Sequence, residues 1–292
     1  MGLWFGRQSL GALTMFSSKL SFLFKSTHPM PSLAVALFAT LFAVGIGLDA
    51  GRVALVGLAV LLQQFSVGLS NDWLDHKRDR AAGRTDKPLA QGSLLASLVR
   101  NSSFAAGILA LVISGLLGWE SLGWMVFMLA AGWAYNLGLK ATAFSVLPYA
   151  IGFGILPVFV TLSLEQSQVP PAWVVVVAAL LGVSAHFANT LPDLLEDRAT
   201  GVKALPHIVG QKISALVIST TAILASSIAV YQSNSLAGLI GVIGLTATIV
   251  LAGIASVLSL RPTPPRAIFP LLVVACLVNA ILLMLGVGPI EV

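Results

Sequence analysis

Asn71, Asp75 and Asp79 stand four residues apart in the run Asn71-Asp72-Trp73-Leu74-Asp75-His76-Lys77-Arg78-Asp79. On a helix this spacing stacks the three side chains along one face, with Asp72 beside it. Like charges four residues apart repel, so a bare ladder of this kind costs stability. A divalent cation turns the repulsion into coordination, because carboxylate and amide oxygens are the ligands Mg2+ prefers. A second reading of the run is a solvated helix end, neutralised by Lys77, Arg78 and Arg80. Taken alone, the run does not decide between them.

The spacing recurs at Asn189, Asp193 and Asp197. The echo continues past the ladder: Asp79-Arg80-Ala81-Ala82-Gly83-Arg84 is answered by Asp197-Arg198-Ala199-Thr200-Gly201-Val202-Lys203. Two ladders, each followed by a glycine turn and basic residues, fit a pseudo-repeat of one helical unit. Facing each other, they would hold Mg2+ through one or two carboxylates each, with phosphate oxygens completing the shell. Arg84, Lys87, Lys140, Arg198 and Lys203 offer positive charge to the rest of a diphosphate. Charge stabilised on its oxygens makes diphosphate a good leaving group.

The elements that carry the ladders lie in a membrane. The 292 residues are 57% hydrophobic and 9% charged, where a soluble domain carries roughly 25% charged residues. The uncharged runs mark nine spans: Pro31 to Leu48, Val53 to Asp72, one within Leu89 to Trp119, Leu122 to Leu139, Ala141 to Leu164, Ala172 to Leu191, two within Ile213 to Leu260, and Ala267 to Gly286. The polar stretch Tyr231 to Ser235 separates the seventh span from the eighth. Each ladder then follows an even-numbered span. Alternating the connections places 15 of the 16 basic residues on the side of the N-terminus, with Arg52 opposite. That bias predicts a cytoplasmic N-terminus and explains the net charge of +5 without nucleic acid. Seven of the eleven acids share that side, although the rule for bases says nothing of acids. Residues 1–28 read as a cytoplasmic or interfacial segment, since Arg7, Lys19 and Lys25 interrupt any signal-like apolar core. Cys276, the single cysteine, excludes an internal disulfide.

The run Asn71-Asp72-x-x-Asp75-x-x-x-Asp79 resembles the NDxxDxxxD motif of the UbiA-type intramembrane prenyltransferases, and Asp193-x-x-x-Asp197 resembles their second DxxxD motif. Lys87-Pro88-Leu89-Ala90-x-Gly92 is similar to the family's basic-Pro-Leu-x-x-Gly segment, with Lys where Arg is usual. Gly201-x-Lys203 resembles its second basic turn, and Tyr135 to Lys140, loosely spaced, its Tyr…Lys element. The resemblance implies an all-α bundle of nine transmembrane helices around a lipid-open cavity, over residues 29–292. It implies transfer of a polyprenyl group from a polyprenyl diphosphate to an acceptor, often aromatic and quinone-precursor-like, with Mg2+ as cofactor. The enzyme would be integral to the plasma membrane, in contact with its lipid, with the active-site loops cytoplasmic. Asp72, Asp75, Asp79, Asp193 and Asp197 are then the catalytic acids, Asn71 and Asn189 join them at the metal, and the five bases above contact diphosphate.

His186, three residues before Asn189, either faces the acceptor or is hydrogen-bonded within the bundle. Tyr135, Trp133, Trp124 and Phe153 either shield a carbocation or belong to an interfacial belt. Two other functions are alternatives, the first among the activities that the resemblance implies. A terpene cyclase or carotenoid elongase would use the same chemistry without an aromatic acceptor. A transporter of a cation or organic anion would place its binding residues near the bilayer midplane, whereas these charges lie at one face.

Overall fold

The computed structural model of the chain describes residues 18–194, 203–233 and 238–287. Among these residues all regular structure is helical: α1 (Ser18–Lys25), α2 (Pro29–Gly45), α3 (Ala50–Ala81), α4 (Ala96–Leu117), α5 (Trp119–Leu137), α6 (Leu147–Thr161), α7 (Ala172–Thr190), α8 (Leu205–Gln232), α9 (Leu239–Ser259) and α10 (Ile268–Val287). A helix lies in every uncharged run of the sequence. Six of them, α3, α4 and α7 to α10, are long and apolar enough to cross a bilayer. The short apolar helix α6 does not reach that length, and α1 and α2 form a pair bent by 63°. The protein is a multi-pass integral membrane protein.

The helices pack by small residues and turn their large ones outward. On α4, Val99, Ser103, Ala106, Gly107 and Ala110 are buried, while Ile108, Val112 and Leu116 are exposed. With no water to drive helices together, tight backbone approach supplies the contact energy. Gly182 on α7 is one such place: a Cβ there would lie 2.5 Å from the Tyr149 carbonyl of α6. One apolar cluster joins α2 to α8 and α10, and a second, around Phe187, Leu191, Ile218 and Leu272, joins α7 to α10.

Helix α3 is the longest element, and both of its ends are fixed. Asp49 caps its start, accepting from the Gly51 and Arg52 amides at 2.8 and 3.1 Å. The Arg52 guanidinium then reaches the carbonyls of Leu117 at 3.2 Å and Ser163 at 2.8 Å, so it caps the ends of α4 and α6. Arg52, which the sequence set apart from the other bases, therefore has a structural role at this end of α3. At the other end α3 runs on past Asp72 for nine more residues. It stops at Gly83, whose φ of 68° lies in the left-handed region. The Gly83 and Arg84 amides fold back onto the carbonyls of Arg80 and Asp79, the closing pair of a glycine-terminated helix. The whole acidic ladder is thus held in one rigid helix.

The second ladder departs from the even helical spacing that the sequence suggested. Helix α7 ends at Thr190, and Leu191–Asp193 is a tighter 3-10 turn. Pro192 is the reason, because it lacks an amide proton and its ring collides with the carbonyl four residues back in an α-helix. The backbone from Asn189 to Asp193 is therefore not one unbroken α-helix. Asp197 and Arg198 lie outside the described residues.

Candidate active site

Three carboxylates within two helical turns, all buried, need compensation from elsewhere in the chain. Asp72, Asp75 and Asp79 are 2%, 8% and 4% exposed. Lys87 Nζ lies 3.2 Å from Asp72 Oδ1, 2.9 Å from Asp79 Oδ2 and 3.3 Å from Asn71 Oδ1. The turn that holds it, Lys87 to Gly92, is closed by the Ser93 amide on the Pro88 carbonyl and anchored by buried Leu89. Lys140 Nζ lies 2.5 Å from Asp75 Oδ2, carried there by the 3-10 turn Leu139–Ala141 that follows α5. Arg78 completes the set at 2.9 Å from the same Asp75 oxygen. The two lysines respond in opposite directions. Burial pushes the Lys87 ammonium down, but the charges of Asp72 and Asp79 outweigh it and hold its pKa above the ordinary lysine value. Burial of Lys140 outweighs the pull of Asp75, and its pKa sits below that value.

Further contacts fix the shape of this cluster. His28, at the break between α1 and α2, places Nε2 3.0 Å from Asp72 Oδ1. Its backbone adopts φ 51° and ψ 63°, in the left-handed region that histidine visits more often than most residues other than glycine. Asn136 on α5 donates to the Val67 carbonyl and Ser70 Oγ, both at 2.8 Å, and accepts from Asn71 Nδ2 at 3.1 Å. Asn189 donates to the Tyr149 hydroxyl at 3.4 Å. The Tyr135 and Tyr149 rings meet edge to face at 5.3 Å.

All of these groups open into one cavity of about 690 Å3. Its polar end is lined by Asn71, Asp72, Asp75, Asp79, Lys87, Lys140 and Asn189, and its apolar reach by Val35, Phe38, Met128 and Leu156. At the mouth the Arg84 guanidinium grips Asp86 with two bonds of 2.8 Å, and Arg266 lies 3.9 Å from the same carboxylate. The Arg84 bonds hold the Asp86 carboxyl well below the usual range. Lys203 has an exposed side chain, while its backbone amide donates to the Ala141 carbonyl at 3.3 Å beside Lys140. His186 is fully buried behind Tyr149, 5.0 Å between rings, and bonds Ser145 Oγ at 3.0 Å.

Among the described residues, no group of three or more His, Cys, Asp or Glu converges as a metal cage. The donor set nevertheless suits Mg2+. This ion keeps near-octahedral oxygen geometry, takes one or two carboxylates, and fills its shell with water and phosphate oxygens. A row of carboxylates and an amide oxygen along a cavity wall supplies that partial shell.

A profile of the UbiA prenyltransferase family matches residues 32–277. The chain belongs to this family. It is 27% identical, over 53% of its length and 54% of the other, to the bacteriochlorophyll synthase 33 kDa chain of Cereibacter sphaeroides. It is 24% identical, over 51% of its length and 53% of the other, to the digeranylgeranylglyceryl phosphate synthase of Pyrococcus horikoshii. The chain thus spans about half the length of these curated relatives. The fold is that of a UbiA homologue from Archaeoglobus fulgidus bound to GPP and Mg2+, with a TM-score of 0.71, 16% identity, and 91% of this chain and 98% of that one covered. A UbiA homologue from Aeropyrum pernix superposes with a TM-score of 0.72 at 16% identity, over 85% of this chain and 94% of the other.

Of the residues expected from the sequence, the first ladder, Lys87, Lys140, Asn189 and Tyr135 gather on this one cavity, and Arg84 stands at its mouth. His28, Asn136 and Tyr149 were not anticipated. A signal existed for Asn136, a buried amide within an apolar helix.

Proposed function

We propose that the protein is a Mg2+-dependent prenyltransferase that moves a polyprenyl group from its diphosphate to an acceptor within the membrane. The observation that supports this reading best is the cavity itself: its polar end is a buried carboxylate ladder paired with lysines from two separate loops, and its reach is apolar. The prenyl tail belongs in the apolar reach and the diphosphate at the ladder. In this reading Asn71, Asp72, Asp75, Asp79, Asn189, Asp193 and Asp197 hold the ion–diphosphate pair. Lys87, Lys140 and Arg84 bind phosphate oxygens, with Arg198 and Lys203 joining from the second basic turn. When bound, Mg2+ neutralises charge that develops on the leaving oxygens.

Lys87 and Lys140 are engaged by aspartates in the ligand-free protein. An ion held by these carboxylates would take over their charge, leaving the Lys87 and Lys140 ammonium groups to bind phosphate oxygens. The bond between C1 of the prenyl group and its oxygen then breaks, and the electron pair leaves with the diphosphate. Tyr135, Tyr149 and Phe153 line the cavity beside this point, where ring faces stabilise an allylic cation and exclude water. The acceptor forms its bond to C1 and loses a proton. An aromatic quinone precursor fits this chemistry as acceptor. Nine spans, a cytoplasmic N-terminus and plasma-membrane residence with cytoplasmic loops complete the reading, and residues 29–292 form the catalytic unit. Purified protein should release diphosphate from geranylgeranyl diphosphate only with Mg2+; turnover that needs no metal would sink the assignment.

A further inference from the structure

The polar lining of the cavity does not end at the ladder. Seven residues before Asn71, about 10 Å deeper along α3, Gln64 lines the same cavity with Gln63 beside it. Their neighbours on the wall are apolar: Val35, Phe38, Met128 and Leu156. An amide at that depth is costly unless its polar atoms are bonded, so one that faces a cavity marks a binding surface.

The polarity of this pair is set by a backbone group. Gln63, 3% exposed, donates its amide NH2 to the Met128 carbonyl at 3.4 Å. A reversed Gln63 amide would set two carbonyl oxygens against each other. Gln63 Oε1 is therefore turned to Gln64 and accepts from Gln64 Nε2 at 2.8 Å. That contact in turn orients Gln64, whose Oε1 has no partner among the described residues. The Gln64 carbonyl oxygen is thereby left to a ligand in the cavity that Gln64 lines.

We infer that Gln64 is a recognition residue for the acceptor, and that its carbonyl oxygen takes a hydrogen bond from an acceptor hydroxyl or amine. The inference rests on the prenyltransferase reading. A prenyl tail has no donor to offer, so it cannot be the ligand that satisfies this oxygen. A ligand of the right shape without a donor leaves the carbonyl desolvated and unpaired, which is how a polar group inside an apolar site discriminates.

The full-length protein in detergent can be titrated with 1-naphthol and with 1-methoxynaphthalene, which keeps the rings and lacks the donor. Probe fluorescence is followed and partition into protein-free micelles subtracted. The wild type is expected to bind the naphthol about tenfold more tightly than its ether. Gln64→Met, of similar shape but without the amide, removes the preference, and Gln64→Leu serves if that variant does not fold. Gln63→Met, which lets the Gln64 amide turn, weakens it. Equal binding of both probes by the wild type overturns the inference, as does a preference that survives loss of the Gln64 amide. Mg2+-dependent diphosphate release by the same wild-type preparation tests the enzyme reading separately. Release without probe discrimination overturns the Gln64 role alone; discrimination without release overturns the enzyme reading and Gln64's role as acceptor site with it.

Discussion

Asn71 donates its side-chain amide to Asn136 Oδ1 at 3.1 Å, joining α3 to α5 across 65 residues of chain. Asn136 is held in turn by the Val67 carbonyl and Ser70 Oγ. The pair therefore turns the Asn71 carbonyl oxygen toward Lys87 and the cavity.

Asn136→Leu removes that orientation while keeping the volume of the site. Diphosphate release is expected to fall roughly tenfold, the effect of about 1.4 kcal/mol in the barrier. Stability is expected to fall by about 1–3 kcal/mol, because Asn71 loses its partner inside the bundle. Rates on folded protein and thermal unfolding in detergent separate the two effects.

The lysines differ in what their loss leaves behind. Lys87→Met strips Asp79 and Asp72 of their ammonium and leaves Asp79 only Arg78 at 4.0 Å, so the loss approaches the roughly 3–5 kcal/mol of a broken buried pair. Asp72 keeps His28. Lys140→Met is expected to cost less, since Arg78 still holds Asp75. Millimolar Mg2+ should restore part of the Lys87→Met loss and little of a loss in a core position. Melting curves with and without the ion decide this; an ion-independent deficit in Lys87→Met would count against a cation site at the ladder.

Metal removal is a direct test of the carboxylates. Chelation should abolish diphosphate release, and Asp75→Ala and Asp193→Ala should do the same at any Mg2+ concentration. Mg2+ at a hundredfold excess over its Kd should stabilise the wild type by about 2.7 kcal/mol. Asp75→Ala should lose most of that increment.

Arg52 supplies a contrast far from the chemistry. Arg52→Ala leaves the carbonyls of Leu117 and Ser163 without their guanidinium. Stability is expected to fall by roughly 1–3 kcal/mol, with diphosphate release per folded molecule unchanged. A large loss of specific activity in stable protein would mean that this end of α3 acts on the site.

The helices were readable because the chain is built of apolar runs interrupted by polar connections, and in a bilayer such runs have no stable alternative to the helix. The first ladder was readable for the same reason: nothing from Val53 to Asp79 interrupts α3, so spacing translates directly into a face. The second shares that spacing, but Pro192 falls inside it, and its missing amide predicts the 3-10 turn that follows α7. Lysine partners depend on loops that fold back from 8 residues beyond Asp79 and 65 beyond Asp75, and no local rule gives that return. His28 was out of reach altogether. It meets Asp72 from 44 residues away in the chain, and no local rule gives that pairing.

Helix α3 is bolted at its far end to α4 and α6 through Arg52 and carries the acidic face at the other. Such a beam cannot slide on its own when the bilayer thickens or thins. Adaptation to lipid has to come from tilt of the bundle as a unit or from deformation of the surrounding lipid. The separation between the Arg52 end and the carboxylate row is therefore set by one unbroken helix of 32 residues.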